Sequence, residues 1–228
     1  MKILVLGDGL LGTEVCKQSG WDYISRKKDR IDFTDIETYV NFLSEYDCVF
    51  NCVGHTDTYG LDRDIHWRVN YLGVIDLVAV CNELNLKLVH VSTDFLYTNS
   101  IEYASENDVP VHCRNWYGYT KLLSDGYVQA KSNDYLIFRT SYKDYPFPYS
   151  RGWLTKGNFD YVNRIASIMI NLINNQYSGL YNVGTKTKTL YELGKETNPD
   201  VISTSDYEHD SVPTNITMNL NKLKGSLI

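Results

Sequence analysis

Lys2-Ile3-Leu4-Val5-Leu6-Gly7-Asp8-Gly9-Leu10-Leu11-Gly12 opens the chain and decides its fold class. Residues 2–6 read as a buried strand, a G-x-G-x-x-G run follows without a gap, and Thr13 to Lys17 continue as a helix. In that setting each glycine has a physical task. The first permits a tight turn, the second lets a pyrophosphate approach the backbone, and the third lets helix and strand pack closely. The helix N-terminus then offers unpaired N–H groups to phosphates. Gly7, Asp8, Gly9, Leu10, Leu11 and Gly12 are therefore read as a dinucleotide-binding loop.

Working outward, Asp22-Tyr23-Ile24 is the expected second strand, and it ends at Ser25-Arg26-Lys27. An acidic residue here would hydrogen-bond a ribose 2′-hydroxyl, whereas this basic stretch suits a 2′-phosphate. NADPH is expected, with NADH as the lesser partner. Asp32 and Phe33 should lie near the adenine. Thr34-Asp35-Ile36-Glu37 has the spacing of a capping box and predicts a helix to about Glu45. Cys48 to Gly54 read as a third buried strand whose end, with Cys52, Val53, Gly54 and the following Thr56, should line the cofactor. His55 reads as a loop histidine. A single helix is expected over 62–85, with Asn70 inside it, and a fourth strand over Lys87 to Ser92. Strands alternating with helices specify an α/β fold, a Rossmann-type doubly wound parallel sheet whose ligands bind beyond the carboxyl ends of the strands.

Composition narrows the function classes. The 228 residues are 43% hydrophobic and 22% charged, enough for a sizeable core, and the net charge of −6 disfavours nucleic acid and anionic membrane surfaces as partners. No apolar run approaches the roughly 20 residues of a membrane helix. The first strand begins at once, so no secretory leader is expected. The five cysteines form no C-x-x-C pair and read as structural thiols of a reducing, cytoplasmic compartment. No metal-ligand spacing stands out.

Tyr117 and Lys121 are four residues apart and share a face if they begin a helix. An ammonium beside a phenol draws its pKa down from about 10 and makes it a proton donor near neutral pH. Tyr23/Lys27, Tyr127/Lys131 and Tyr191/Lys195 have the same spacing, so context has to choose among them. The context is Ser92-Thr93-Asp94-Phe95-Leu96-Tyr97, Tyr117-Gly118-Tyr119-Thr120-Lys121-Leu122 and Arg139-Thr140-Ser141-Tyr142, in that order. With the glycine loop, this set resembles the extended short-chain dehydrogenase/reductase superfamily, and within it the dTDP-4-dehydrorhamnose reductases. The resemblance runs over about residues 1–142, and Glu106 matches an acidic residue that the family places shortly before the catalytic helix.

The resemblance implies catalytic roles for Thr93, Tyr117 and Lys121. Thr93 would hydrogen-bond the substrate ketone, Tyr117 would protonate the forming alkoxide, and Lys121 would bind the nicotinamide ribose and lower the Tyr117 pKa. Ser92 would line the cofactor. The implied reaction is reduction at C4 of a nucleotide-linked 4-keto-6-deoxysugar in rhamnose-type synthesis.

Phe95 stands where sugar-nucleotide 4,6-dehydratases carry a glutamate, and the cysteine of GDP-fucose synthases is absent, so neither chemistry is expected. An epimerase that retains NAD and a non-catalytic NADP-binding subunit remain as alternatives. The family tryptophan after Arg-Thr-Ser is Tyr142 here. Residues 143–228 are expected as a condensed substrate-binding lobe attached to a cofactor domain over 1–142, with a strand near 179–183 that could return to the main sheet. Tyr142 and Trp153, with Thr93 and Tyr117, are the candidate contacts to the nucleotide sugar. The loops 98–113 and 143–157 are candidate substrate loops, and a homodimer is a candidate assembly.

Overall fold

Ile3, Leu4, Val5 and Leu6 are all buried, so β1 (Ile3–Leu6) must lie inside a sheet covered on both faces. The computed structural model describes residues 1–99, 101–108, 114–207 and 211–227. In it β1 is followed by α1 (Leu10–Ser19), β2 (Asp22–Ile24) and β3 (Cys48–Asn51). The helical segments α2 (Arg63–Trp67) and α3 (Gly73–Glu83) then lead to β4 (Lys87–Thr93), α4 (Trp116–Lys131) and β5 (Tyr135–Thr140). Beyond these come α5 (Val162–Asn174), β6 (Gly179–Asn182), α6 (Leu190–Lys195) and α7 (Asn221–Ser226).

The six-stranded sheet has the order β6-β5-β4-β3-β1-β2, and every neighbouring pair is parallel. The order in which the chain lays down its strands reverses between β1 and β3, which opens a crevice at their carboxyl ends. Alternation along β1 divides the core. Ile3 and Val5 pack with Val15 of α1 and Met169 of α5, while Leu4 and Leu6 pack with Leu77 of α3 and Val128 of α4. A parallel doubly wound sheet is thus what the sequence leads one to expect and what the chain adopts.

Two local expectations fail for identifiable reasons. The helix over 62–85 is interrupted. Asp62 caps α2 by accepting from the N–H groups of Asp64 and Ile65, and Arg68–Leu72 then widens into a π turn before α3. The π turn carries Asn70, whose side chain bonds the His55 backbone in both directions, accepting from its N–H at 2.8 Å and donating to its C=O at 3.0 Å. The capping box at Thr34 does not form either. The Thr34 hydroxyl donates to Asp32 instead, and Asp35 caps a 3₁₀ turn over Ile36–Thr38. Tyr39 then leaves helical geometry to bury its ring against Phe33, so only Val40–Leu43 is helical before the next strand.

The C-terminal third is tied into this frame. α5 packs on α1, and β6 extends the sheet beside β5. Around them Phe147, Phe159, Tyr161, Leu193 and Val201 form a smaller core of their own. A buried polar network joins α4, β5 and β6. Arg139 donates to both carboxylate oxygens of Asp125 at 2.8 and 3.0 Å and to the Tyr97 hydroxyl at 2.7 Å. Tyr97 in turn donates to Asn182, whose backbone N–H is held by Glu106. Among the described residues no helix is long and apolar enough to cross a membrane.

Candidate active site

A cleft of about 980 Å³ lies beyond the carboxyl ends of the central strands. One wall is the glycine loop. Gly7 has φ +96°, which only glycine adopts without strain, and a Cβ on Gly12 would stand 2.1 Å from the Gly7 carbonyl oxygen. Gly9 has nothing within 4 Å of where its Cβ would be, and it faces the cleft with Leu10 and Leu11. The loop is therefore closed where helix meets strand and open where α1 presents its first N–H groups. That is the shape a dinucleotide pyrophosphate requires. Gly7, Asp8 and Gly12 shape the loop rather than face the cleft, and the Asp8 carbonyl accepts from the Thr13 hydroxyl. Cys52, Val53, Gly54 and Thr56 continue the wall after β3, and Ser92 does so on β4. The Ser92 and Thr140 hydroxyls line the cleft, buried without a partner among the described residues.

Thr93, Tyr117 and Lys121 meet in the same cleft. Asn115 caps α4 by accepting from the Gly118 N–H at 2.7 Å, which fixes the first turn and puts Tyr117 and Lys121 on one face. Thr93 ends β4, and its hydroxyl accepts from the Phe95 N–H and donates toward the Asp94 carboxylate at 3.5 Å, while it lines the cleft with Tyr117. The Tyr117 ring is wedged edge-on between Phe95 and His66, at 6.0 and 6.4 Å between centroids. The Lys121 ammonium donates to the Val91 carbonyl at 2.5 Å.

The electrostatics differ from the sequence expectation. Burial pushes the Tyr117 phenol up to about 12, opposed in part by Thr93 and reinforced by Asp94, and Lys121 does not draw it down. Lys121 is itself desolvated and lowered to about 8, despite Asp125 nearby. The consequence is a phenol that keeps its proton until a strong base such as an alkoxide forms beside it. Asp94, fully buried with Oδ2 unpartnered among the described residues, is raised by burial to about 7.

The expected ribose and adenine residues lie outside the cleft. Ser25 is buried, and its hydroxyl caps Arg26–Asp29 by accepting from the Lys28 N–H. Arg26 and Lys27 are exposed, and Lys28 rather than Lys27 lies over the Tyr23 ring. Asp32 accepts from the Thr34 N–H and hydroxyl, and Phe33 is stacked on Tyr39 in the core. On the opposite side, Tyr142 and Trp153 both face the cleft, and Trp153 sits edge-on between Tyr59 and Tyr207. Sequence reading missed Tyr59, Ser141, Lys143 and Arg151, which also line it. The signal for Lys143 was its place directly after Arg139-Thr140-Ser141-Tyr142 at the end of a strand. Cys113 and part of the loop 98–113 lie outside the described residues. Among the described residues no group of three or more His, Cys, Asp or Glu side chains could hold a metal ion.

Comparison with known proteins gives this geometry relatives. The model of the RmlD substrate binding domain matches residues 1–144. The probable low-salt glycan biosynthesis reductase Agl14 of Haloferax volcanii is 33% identical over 118 residues, which cover 50% of this chain and 39% of that protein. The dTDP-4-dehydrorhamnose reductase of Mycolicibacterium smegmatis is 26% identical over 153 residues, covering 62% of this chain and 45% of that protein. The chain thus spans about half the length or less of these curated relatives in the aligned part. Among solved structures, the dTDP-4-dehydrorhamnose reductase of Bacillus anthracis in complex with NADP superposes with a TM-score of 0.84 at 22% identity, over 98% of this chain and 92% of that one. The UDP-glucose 4-epimerase of Thermus thermophilus in complex with NAD shares the fold at a TM-score of 0.78 and 19% identity, over 99% and 92%. Because the family match runs from the first strand, through the glycine loop and the Thr93–Tyr117 pair, to Asp144, the chain belongs to the RmlD substrate binding domain family of extended short-chain dehydrogenase/reductases.

Proposed function

We propose that the chain reduces the C4 ketone of a nucleotide-linked 4-keto-6-deoxysugar, of the dTDP- or UDP-4-dehydrorhamnose type, in the cytoplasmic synthesis of rhamnose-type sugars. The carrying observation is the meeting of the Thr93 and Tyr117 side chains in one cleft with Lys121 and the open glycine loop. NADPH, when bound, supplies the hydride. The first N–H groups of α1 would hold its pyrophosphate, Lys121 its nicotinamide ribose, and Arg26 and Lys27, exposed beyond the end of β2 and outside the cleft proper, its 2′-phosphate. Thr93 orients the ketone oxygen, and Tyr117 gives that oxygen its proton as negative charge develops there. Tyr142 and Trp153 supply flat apolar surface for the nucleotide sugar.

The experiment is to follow NADPH absorbance with dTDP- and UDP-linked 4-keto-6-deoxyglucose and to identify the product by NMR. The expected result is one NADPH consumed per ketone reduced and a higher kcat/KM for NADPH than for NADH. Folded protein that oxidises no NADPH with either ketone would overturn the reading. Equal efficiency with the two cofactors would remove the 2′-phosphate contact alone. An epimerase would instead interconvert sugars with no net consumption.

A further inference from the structure

Among the described residues, every cation drawn in from the exposed surface has a hydrogen-bonded or carboxylate partner except one that faces the cleft. Lys121 is bonded to Val91, Arg139 to Asp125, Lys188 to Asp160, and Lys87 to Ser178 with Asp134 beyond. Lys143 differs. It lies in the two-residue strand Tyr142–Lys143, paired in parallel with Asp160–Tyr161 just beyond β5, and it lines the cleft half-buried. Among the described residues its ammonium has no hydrogen bond and no ion pair within 4.0 Å, and the Tyr149 ring lies 6.0 Å away. Desolvation lowers its pKa, against the fields of Asp94 and Asp144, so the charge is drawn from water without being neutralised by contact. A desolvated, unpaired ammonium is costly unless something of opposite charge joins it.

Position limits what that something is. β5, the strand that leads into Lys143, lies three strand spacings from β1 in the sheet, about 14 Å, and so is well separated from the strand that carries the glycine loop. Thr93 pairs in register with Thr140, three residues before Lys143, and Thr93 and Lys143 line the same cleft, so Lys143 belongs to the Thr93 side of it. Trp153 and Arg151 line the same cleft.

We propose that Lys143 is a specificity-determining residue, pairing its ammonium with an oxyanion of the substrate itself: the diphosphate of a nucleotide sugar or a carboxylate on its sugar ring. The inference rests on reading the cleft as a nucleotide-sugar site. It adds a selection by charge that the Thr93–Tyr117 pair cannot make, since two hydroxyls do not distinguish a neutral sugar from an anionic one.

The test is calorimetric binding of UDP, UDP-glucose and UDP-glucuronate, and of dTDP and dTDP-glucose, to the full chain saturated with NADP⁺. Lys143→Met keeps the stem and removes the charge, Lys143→Gln is a second neutral variant, and Lys143→Arg restores the charge. Loss of a charge-assisted contact weakens binding about 10- to 100-fold. The expected result is that loss in both neutral variants, retention in Lys143→Arg, unchanged melting temperatures and a flatter salt dependence. A loss shared by every ligand assigns the diphosphate, and a loss confined to UDP-glucuronate assigns a sugar carboxylate. Wild-type affinities in the folded neutral variants overturn the inference and leave the proposed function standing. Failure of the wild-type protein to bind any of the ligands removes both.

Discussion

Tyr117 keeps its proton because burial outweighs every charge near it. A general acid of this kind contributes about 10²- to 10⁴-fold to a reduction, so Tyr117→Phe should lower kcat/KM by that factor while leaving NADPH affinity unchanged. The ring contacts to Phe95 and His66 survive the substitution, so a loss of melting temperature is not expected. Asp94 supports a second prediction. Its carboxyl moves from 3.8 to about 7 on folding, so between those values the folded chain holds a proton that the unfolded chain has released. Stability must therefore fall as pH rises from about 4 to 7 and stay low above that. The loss is a few kcal/mol, since each tenfold change in proton affinity is worth roughly 1.4 kcal/mol. Lys121, lowered from 10.5 to about 8, gives the opposite slope above pH 8. Asp94→Asn should melt higher than the wild type at pH 7.5, with the gap closing near pH 4. Identical melting curves at both pH values would show that Asp94 ionises normally. Residue identity told which side chains take part. The direction of their titration was hidden, because it depends on how deeply α4 seats them away from water.

At the scale of elements, the motifs that made the chain recognisable divide into chemistry and scaffold. Thr93 and Tyr117 face the cleft, but Arg139 and Tyr97, which belong to the same motifs, are joined to Asp125 and Asn182 in the buried network that clamps α4 to β5 and β6. Arg139 and Asp125 are 3% and 1% exposed, so the pair has no water to fall back on. Asp125→Asn leaves the guanidinium buried without its counter-charge, and the expected loss is about 3–5 kcal/mol, read as a shifted urea midpoint with an unchanged slope. A loss of less than about 1 kcal/mol would mean that Tyr97 and its neighbours suffice to hold Arg139. β1 and β4 were legible almost residue by residue, since buried parallel strands are short apolar runs bounded by turn residues, whereas the third strand stops at Asn51, short of the expected Gly54, and β2 buries only Ile24. The π turn at Arg68–Leu72 and the broken helix after Thr34 were not. Each is set by a tertiary partner, Asn70 with the His55 backbone and Tyr39 with Phe33, and no periodicity announces it.

At the scale of the molecule, sequence divides the chain near residue 142, whereas the core does not. The β1 face that carries Ile3 and Val5 is covered by α5, where Ile165, Ala166, Met169 and Leu172 are fully buried against it. The edge of β5 is paired by β6, with Leu136↔Gly179 through Arg139↔Asn182 in register. Met218, Leu220 and Leu223 close the same cluster from the far end of the chain. A chain cut after residue 142 would therefore expose one face of its sheet and leave β5 as an unpaired, apolar edge, a template for aggregation rather than a domain. We propose that the cofactor-binding and substrate-binding parts are one folding unit. Residues 1–142 expressed alone should show no cooperative thermal transition and should bind dyes that report exposed apolar surface, while the full chain melts in a single step. A two-state transition in the fragment, with NADPH raising its melting temperature, would make the first 142 residues a true domain. The 143–228 segment would then be an attachment whose only task is the substrate.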